Sequence, residues 1–188
     1  SFHKAMKYAV KPRRELGLRT IFNILGPLTN PARADYQVLG VYNKDLIKPM
    51  AEVLKNLGVK KAMVVHGAAG LDEFSICGSN RVAYLKHDEI KFFNISPDDV
   101  GLEKSKISSI KGGTPNENRD IILSILKGKK GPRRDIVLLN SAAALMVTDK
   151  AESWKEGIEI AAGVIDSRAA LTKLNQLIDF TNSFEVVI

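Results

Sequence analysis

Two places in the sequence carry residue types that could do chemistry together. One is the adjacent pair Asp72-Glu73, reached through His66-Gly67-Ala68-Ala69-Gly70-Leu71 directly after the apolar run Ala62-Met63-Val64-Val65. Neighbouring carboxylates offer hard oxygen donors, suited to a Mg²⁺ ion that keeps several waters and also touches a substrate phosphate. A solvated acidic turn or a helix cap would use the same residues. The other place is Arg13, which precedes the turn-rich stretch from Gly17 to Pro31. A planar guanidinium matches a carboxylate in a two-pronged fork; the plainer alternative is a solvated surface arginine. A cation before a rigid turn and a carboxylate pair after a strand suit an anionic substrate joined to a metal-bound phosphate.

Other chemistries find less support. The three histidines, His3, His66 and His87, lie far apart without the ligand spacing of a zinc site. No Gly-x-Ser-x-Gly elbow occurs, and Cys77 has no evident partner base and reads as a small buried thiol. Gly112-Gly113 precedes a helix and could cradle a phosphate, but the full spacing of a P-loop or dinucleotide fingerprint is missing. Lys127, Lys129, Lys130, Arg133 and Arg134 form a basic cluster with no interleaved aromatics, as a solvated face does.

The elements that must position these residues follow from periodicity. Apolar residues from Phe2 to Leu16 recur at helical spacing around Pro12, which predicts a kinked or broken helix stopped at Gly17. From Gly17 to Pro31, prolines, glycine and a Thr-Asn pair argue against both helix and strand. Ile21, Phe22, Ile24, Leu25 and Leu28 should anchor the stretch as a fixed backbone shelf, or as a buried connection. Tyr36 to Tyr42 alternates as a strand. Leu46 to Leu57 follows helical spacing, capped by Asn43 or Asp45 and ended by Gly58, with Pro49 tolerable only in the first turn. Ala62 to Val65 reads as a strand covered on both faces, which completes a βαβ unit and a parallel pair.

Arg81–Leu85 and Ile90–Ile95 predict a hairpin around Lys86 to Glu89, so the sheet should be mixed. A helix is expected from about Glu117 to Lys127, with Ile121, Ile122, Ile125 and Leu126 inward. A buried helix should run from Asp135 to Val147. Two amphipathic helices, through Trp154 to Ile165 and Leu171 to Ile178, should cover the sheet, joined at Asp166 or Ser167. The expected fold is a single α/β domain over residues 1–188, with a mixed, mainly parallel sheet and helices on its faces.

The totals are compatible with this. A chain of 188 residues with 45% hydrophobic content can bury one sizeable core. A net charge of +7 favours anionic partners, nucleic acid and small phosphorylated or carboxylated substrates alike. No apolar run long enough to span a bilayer and no secretory leader is evident, and one cysteine forms no internal disulfide, so a cytoplasmic protein without membrane contact is expected. The opening Ser1-Phe2-His3, without methionine, suggests a fragment or processed chain.

Taken together, Phe2-His3-x-Ala5-Met6-Lys7 and the run from Arg13 to Pro31 closely resemble the anthranilate phosphoribosyltransferase family. His66-Gly67 through Asp72-Glu73, Gly112 to Asn118 and Asn140 to Leu145 fall in the order that family shows. The resemblance spans essentially the whole chain. It implies a pentosyltransferase of tryptophan biosynthesis, which moves the phosphoribosyl group of phosphoribosyl pyrophosphate to the amine of anthranilate and releases pyrophosphate. Arg13 would bind the anthranilate carboxylate, with His3, Gly26 and Pro27 lining the same pocket. Asp72 and Glu73 would hold a Mg²⁺ on the pyrophosphate. No catalytic base is implied, since an aniline-type amine is largely unprotonated at neutral pH.

The family's amino-terminal helical domain, with its Gly-Thr-Gly-Gly-Asp pyrophosphate loop and most of its homodimer contacts, would precede Ser1. The fragment alone is therefore expected to be inactive. Two alternatives stand beside this reading: a non-catalytic nucleic-acid-binding relative of the same fold, and an enzyme like the pyrimidine nucleoside phosphorylases.

Overall fold

The computed structural model describes residues 33–184 together with Tyr8, Glu15, Gly26, Leu28 and Thr29. His3, Arg13 and Pro27 lie outside the described residues, as does most of the expected broken helix, of which Tyr8 and Glu15 are helical and exposed. Of the expected shelf, Gly26 and Leu28 are helical and Thr29 is in a turn. That differs from the turn-only conformation expected, and the Thr29 N–H and hydroxyl both reach the Gly26 carbonyl at 3.3 Å.

Four strands form one sheet in the order β1 (Tyr36–Gly40), β2 (Lys61–His66), β3 (Asn80–Lys86) and β4 (Glu89–Ile95). Six helices accompany them among the described residues: α1 (Ile47–Asn56), α2 (Ile107–Ile110), α3 (Pro115–Leu126), α4 (Pro132–Val147), α5 (Trp154–Asp166) and α6 (Ala169–Asn182). The sheet is mixed, as expected. Its parallel share is smaller than expected, because β1 and β2 run parallel while β2–β3 and β3–β4 are antiparallel. A parallel pair needs a crossover, and α1 supplies it; the hairpin then reverses the remaining strands.

The local chemistry of α1 explains both of its ends. The Asn43 side chain accepts the Asp45 N–H at 3.1 Å and starts a 3₁₀ turn (Lys44–Leu46) that leads into the helix. Pro49 falls in the first helical turn, where its missing N–H has no intrahelical partner to lose. At the other end Gly58 takes φ +79°, and the Val59 N–H returns to the Leu54 carbonyl at 3.1 Å. Ile47, Met50, Ala51 and Leu54 are thereby turned onto Leu39, Ala62, Val64, Ala83 and Leu85. The hairpin turns on His87 and Asp88 alone, both at positive φ (52° and 60°), which matches the strand twist. It is two residues shorter than the four-residue connection expected.

The second face of the sheet belongs to α4. Leu139, Ala143 and Val147 meet Met63, Val65, Phe74, Val82 and Ile95 there. Helix α5 packs on α4 so closely that a Cβ on Gly157 would lie 2.9 Å from the Ala142 Cα and Cβ. Helix α6 does not cover the sheet as expected. It buries none of its residues and rests on α5 and α3 instead. Ile122 also departs from expectation, since it faces solvent on α3 while Ile125 is buried. Among the described residues no helix is long and apolar enough to cross a membrane.

Candidate active site

The loop 66–80 begins at the carboxyl end of β2, beside the parallel strand β1, where ligands of α/β sheets bind. It folds back on itself: the Gly67 N–H donates to the Leu71 carbonyl at 2.8 Å, and Ala69 adopts φ 61°. Its return arm crosses the carboxyl end of β1. A Cβ at Gly40 would lie 1.4 Å from the Asp72 carbonyl oxygen, and one at Gly67 would lie 2.1 Å from that of Glu73. These glycines therefore let the loop's own backbone close in. At Gly67 the space a side chain would fill is taken by protein backbone.

Two asparagines hold the loop in place. Asn80 is fully buried; its Oδ1 accepts the Ser75 N–H at 2.7 Å, and its Nδ2 donates to the Ser75 and Ile95 carbonyls, each at 3.0 Å. Asn140 on α4 grips the next residue, with Oδ1 accepting the Phe74 N–H at 3.0 Å and Nδ2 donating to the Phe74 carbonyl at 2.7 Å. Phe74 is buried edge-on against Trp154, with ring centroids 5.1 Å apart. Each amide satisfies both a donor and an acceptor of loop backbone without bringing any charge. The His66 ring contributes a further tie, with Nδ1 2.9 Å from the Val41 carbonyl oxygen.

Asp72 and Glu73 are both exposed at the crest of this scaffold. Neither takes part in an ion pair among the described residues. The Glu73 carboxyl is pushed up from the ordinary glutamate range, first by loss of hydration against the loop and then by the like charge of Asp72. An unpaired acidic couple of this kind favours a cation. No cluster of three or more His, Cys, Asp or Glu residues suited to a metal occurs among the described residues. Two carboxylates without a third protein ligand fit Mg²⁺, which takes its remaining ligands from water and phosphate, and do not fit zinc.

Residues 1–171 match the α/β domain of a glycosyl transferase family. The chain belongs to that family. Within this glycosyl transferase group it is 56% identical over 181 residues to the anthranilate phosphoribosyltransferase of Petrotoga mobilis, covering 96% of this chain and 53% of the relative. The chain thus spans about half the length of the curated relatives it matches. The crystal structure of the Thermus thermophilus anthranilate phosphoribosyltransferase superposes with a TM-score of 0.89 at 41% identity, over 96% of this chain and 54% of that one. The Saccharomyces cerevisiae enzyme, known in complex with PRPP and Mg, superposes at 0.88 with 33% identity, over 97% of this chain and 53% of that one.

Of the residues expected to line the substrate pocket, only Gly26 is described. Thr29, bonded to Gly26, and Leu28 border a cleft of about 560 Å³ with Arg33 and Asp35 at the amino end of β1. Asp72 crosses the opposite end of that strand. Gly26 itself is exposed. The Gly112-Gly113 pair packs against the first turn of α3. A Cβ there would meet the side chains of Asn118 and Glu117 at 2.5 and 2.3 Å, and Asn118 bonds both the N–H and the carbonyl of Gly113. The basic cluster loses a member as well, since Arg134 is buried and forks onto Asp166 at 2.5 and 2.9 Å.

Asn80, Asn140 and Gly40 were not singled out from the sequence as determinants of the site. Asn80 carried a usable signal: it shares strand parity with Val82, so a polar residue points into the core. Gly40 and Asn140 carried none that spacing alone reveals.

Proposed function

We propose that this chain is the carboxy-terminal α/β part of a two-domain anthranilate phosphoribosyltransferase. The observation that carries this reading is the unpaired pair Asp72-Glu73, fixed by uncharged amides over the carboxyl end of β1 in a chain of this family. In this reading Asp72 and Glu73 hold Mg²⁺ on the pyrophosphate of phosphoribosyl pyrophosphate. Held there, Mg²⁺ would supply charge neutralisation for the departing pyrophosphate.

The chain's own contribution is placement. The Asn80 and Asn140 amides keep both carboxylates at one position without offering them a competing cation. The raised Glu73 carboxyl reflects an environment that an added cation relieves. Arg13 receives the anthranilate carboxylate, and His3, Gly26 and Pro27 line its pocket. The amine attacks as a neutral group, so no residue is assigned as a base. The partner half of the cleft comes from the remainder of the two-domain polypeptide, so turnover needs both halves.

The test is steady-state kinetics of the complete protein. Asp72→Asn with Glu73→Gln is expected to raise the Mg²⁺ concentration needed for half-maximal rate by at least about tenfold. Arg13→Ala is expected to raise KM for anthranilate with a smaller effect on KM for phosphoribosyl pyrophosphate. An unchanged Mg²⁺ dependence would remove the metal assignment, and phosphorolysis of pyrimidine nucleosides in place of phosphoribosyl transfer would remove the substrate assignment.

A further inference from the structure

A separate groove lies on the α1 face of the sheet. A groove of about 310 Å³ opens between the start of α1 and the β3–β4 edge, lined by Lys44, Ile47, Lys48, Arg81, Phe92 and Asn94. Arg81 and Asn94 are directly paired across the strands, and Phe92 lies two residues from Asn94 on the same side. The Phe92 ring is 56% exposed on an edge strand, which leaves an aromatic face available. Among the described residues no carboxylate lines the groove. Lys44 and Arg81 form no ion pair among the described residues, and Lys48 has only Glu52, at 3.9 Å.

Three cations around one exposed ring are two complementary recognition elements. The cations favour a phosphate, the arginine through a planar fork. The ring favours the π-face of an aromatic ligand, and Asn94 offers both a donor and an acceptor to its edge. The volume is at the small end of ligand sites and suits one ring system with one phosphate. This groove is separate from the acidic pair: it lies on the face covered by α1, whereas the loop bearing Asp72 sends Phe74 and Ile76 into the core on the α4 face.

We propose that the groove between α1 and the β3–β4 edge binds a small ligand that carries an aromatic ring and a phosphate, the ring on Phe92 and the phosphate among Lys44, Lys48 and Arg81. A free mononucleotide and the terminal nucleotide of a single strand share this chemistry. The free mononucleotide is favoured, because the basic cluster at Lys127 to Arg133 lies away from the groove and gives a strand no continuous cationic track.

The test is titration of the full chain with AMP, adenosine, inorganic phosphate and a single-stranded oligonucleotide, followed by amide chemical shifts and calorimetry. AMP is expected to shift Lys44, Ile47, Arg81, Phe92 and Asn94, with adenosine and phosphate each binding at least about tenfold more weakly. Phe92→Ala and Arg81→Ala should each weaken AMP by about tenfold or more, while Asp72→Asn with Glu73→Gln leaves AMP binding in place. Both changed side chains are exposed, and retained dispersion of the spectra shows that the variants fold. AMP shifts centred on residues 66–80, insensitivity to both single variants, or no AMP binding would each overturn the proposal. Preference for the oligonucleotide by more than about tenfold, with a steep salt dependence, would overturn it in favour of a nucleic-acid surface.

Discussion

Four aspartate and glutamate side chains in this molecule are held in opposite ways. Asp149 and Asp166 are each claimed by a buried cation, Lys61 and Arg134, which holds both carboxyls below the ordinary range. Asp72 and Glu73 pair with no cation among the described residues, and Glu73 is held above it. In the first pair of cases charge joins elements: Lys61 ties the start of β2 to the residues after α4, and Arg134 ties the start of α4 to the end of α5. In the second, neutral amides do the joining. The difference teaches that neutral amides can hold a loop in place while leaving its carboxylates exposed and uncompensated, whereas a buried cation holds its carboxylate by neutralising it.

The contrast breaks most directly at Asn80. Asn80→Ala leaves the buried Ser75 N–H and the Ser75 and Ile95 carbonyls without their partner. A loss of about 4 kcal/mol in urea unfolding is expected, since each orphaned group costs about 1–3 kcal/mol. A loss below about 1 kcal/mol would show that the loop does not depend on the amide.

Gly40→Ala comes next. The new methyl would lie 1.4 Å from the Asp72 carbonyl, so either β1 or the loop must move, at a cost of about 3 kcal/mol. Gly163→Ala on α5 is the control. Nothing lies within 4 Å of its added carbon, and a gain of about 0.5–1 kcal/mol is expected from helix propensity. Equal effects at the two glycines would mean that the close approach at Gly40 is not a constraint.

Arg134→Met tests the charged side of the comparison. Arg134 is only 4% exposed while Asp166 faces solvent, so the variant loses its charge-assisted bonds but strands no buried carboxylate. The expected cost is about 2 kcal/mol, smaller than at Asn80. A cost above that of Asn80→Ala would reverse the ranking on which the contrast rests.

The same difference governs what the sequence made legible. The βαβ unit, the hairpin and the Asn43 and Gly58 signals at the two ends of α1 could be read because they act within a few residues of themselves. The exposed loop that carries Asp72-Glu73 could be read because it follows an apolar strand. The supports of that site could not. Asn140 lies 66 residues from Phe74 and Arg134 lies 32 from Asp166, and nothing local records such a pairing. Arg134 sits in a basic run that resembles a solvated face, and only burial distinguishes it from Arg133. The α6 stripe at Leu174, Leu177 and Ile178 shows the reverse error: helical periodicity was present, yet no sheet lies beneath it.

The smallest expected effect is the most diagnostic, because its sign differs between the two regions. Burial first and Asp72 second raise the Glu73 carboxyl in the folded chain, so folded protein binds protons more readily there than unfolded protein. Stability must then fall as pH rises from the unfolded carboxyl value, about 4.3, through the folded one. Glu73→Gln should be indistinguishable from the parent in acid and more stable at neutral pH, by less than about 1 kcal/mol for so exposed a group. Asp166→Asn should show the opposite slope: its stabilisation is present above the unfolded aspartate value and lost as pH falls through the lowered folded one. Mg²⁺ should reverse the order at Glu73, stabilising the parent and not the glutamine variant, because ligand binding to the folded state adds to its stability. Denaturant midpoints of the parent and both variants from about pH 2 to 8, with and without Mg²⁺, measure all three slopes. Parallel slopes for the two variants would show that the acidic pair is not electrostatically distinct from the ion-paired carboxylates.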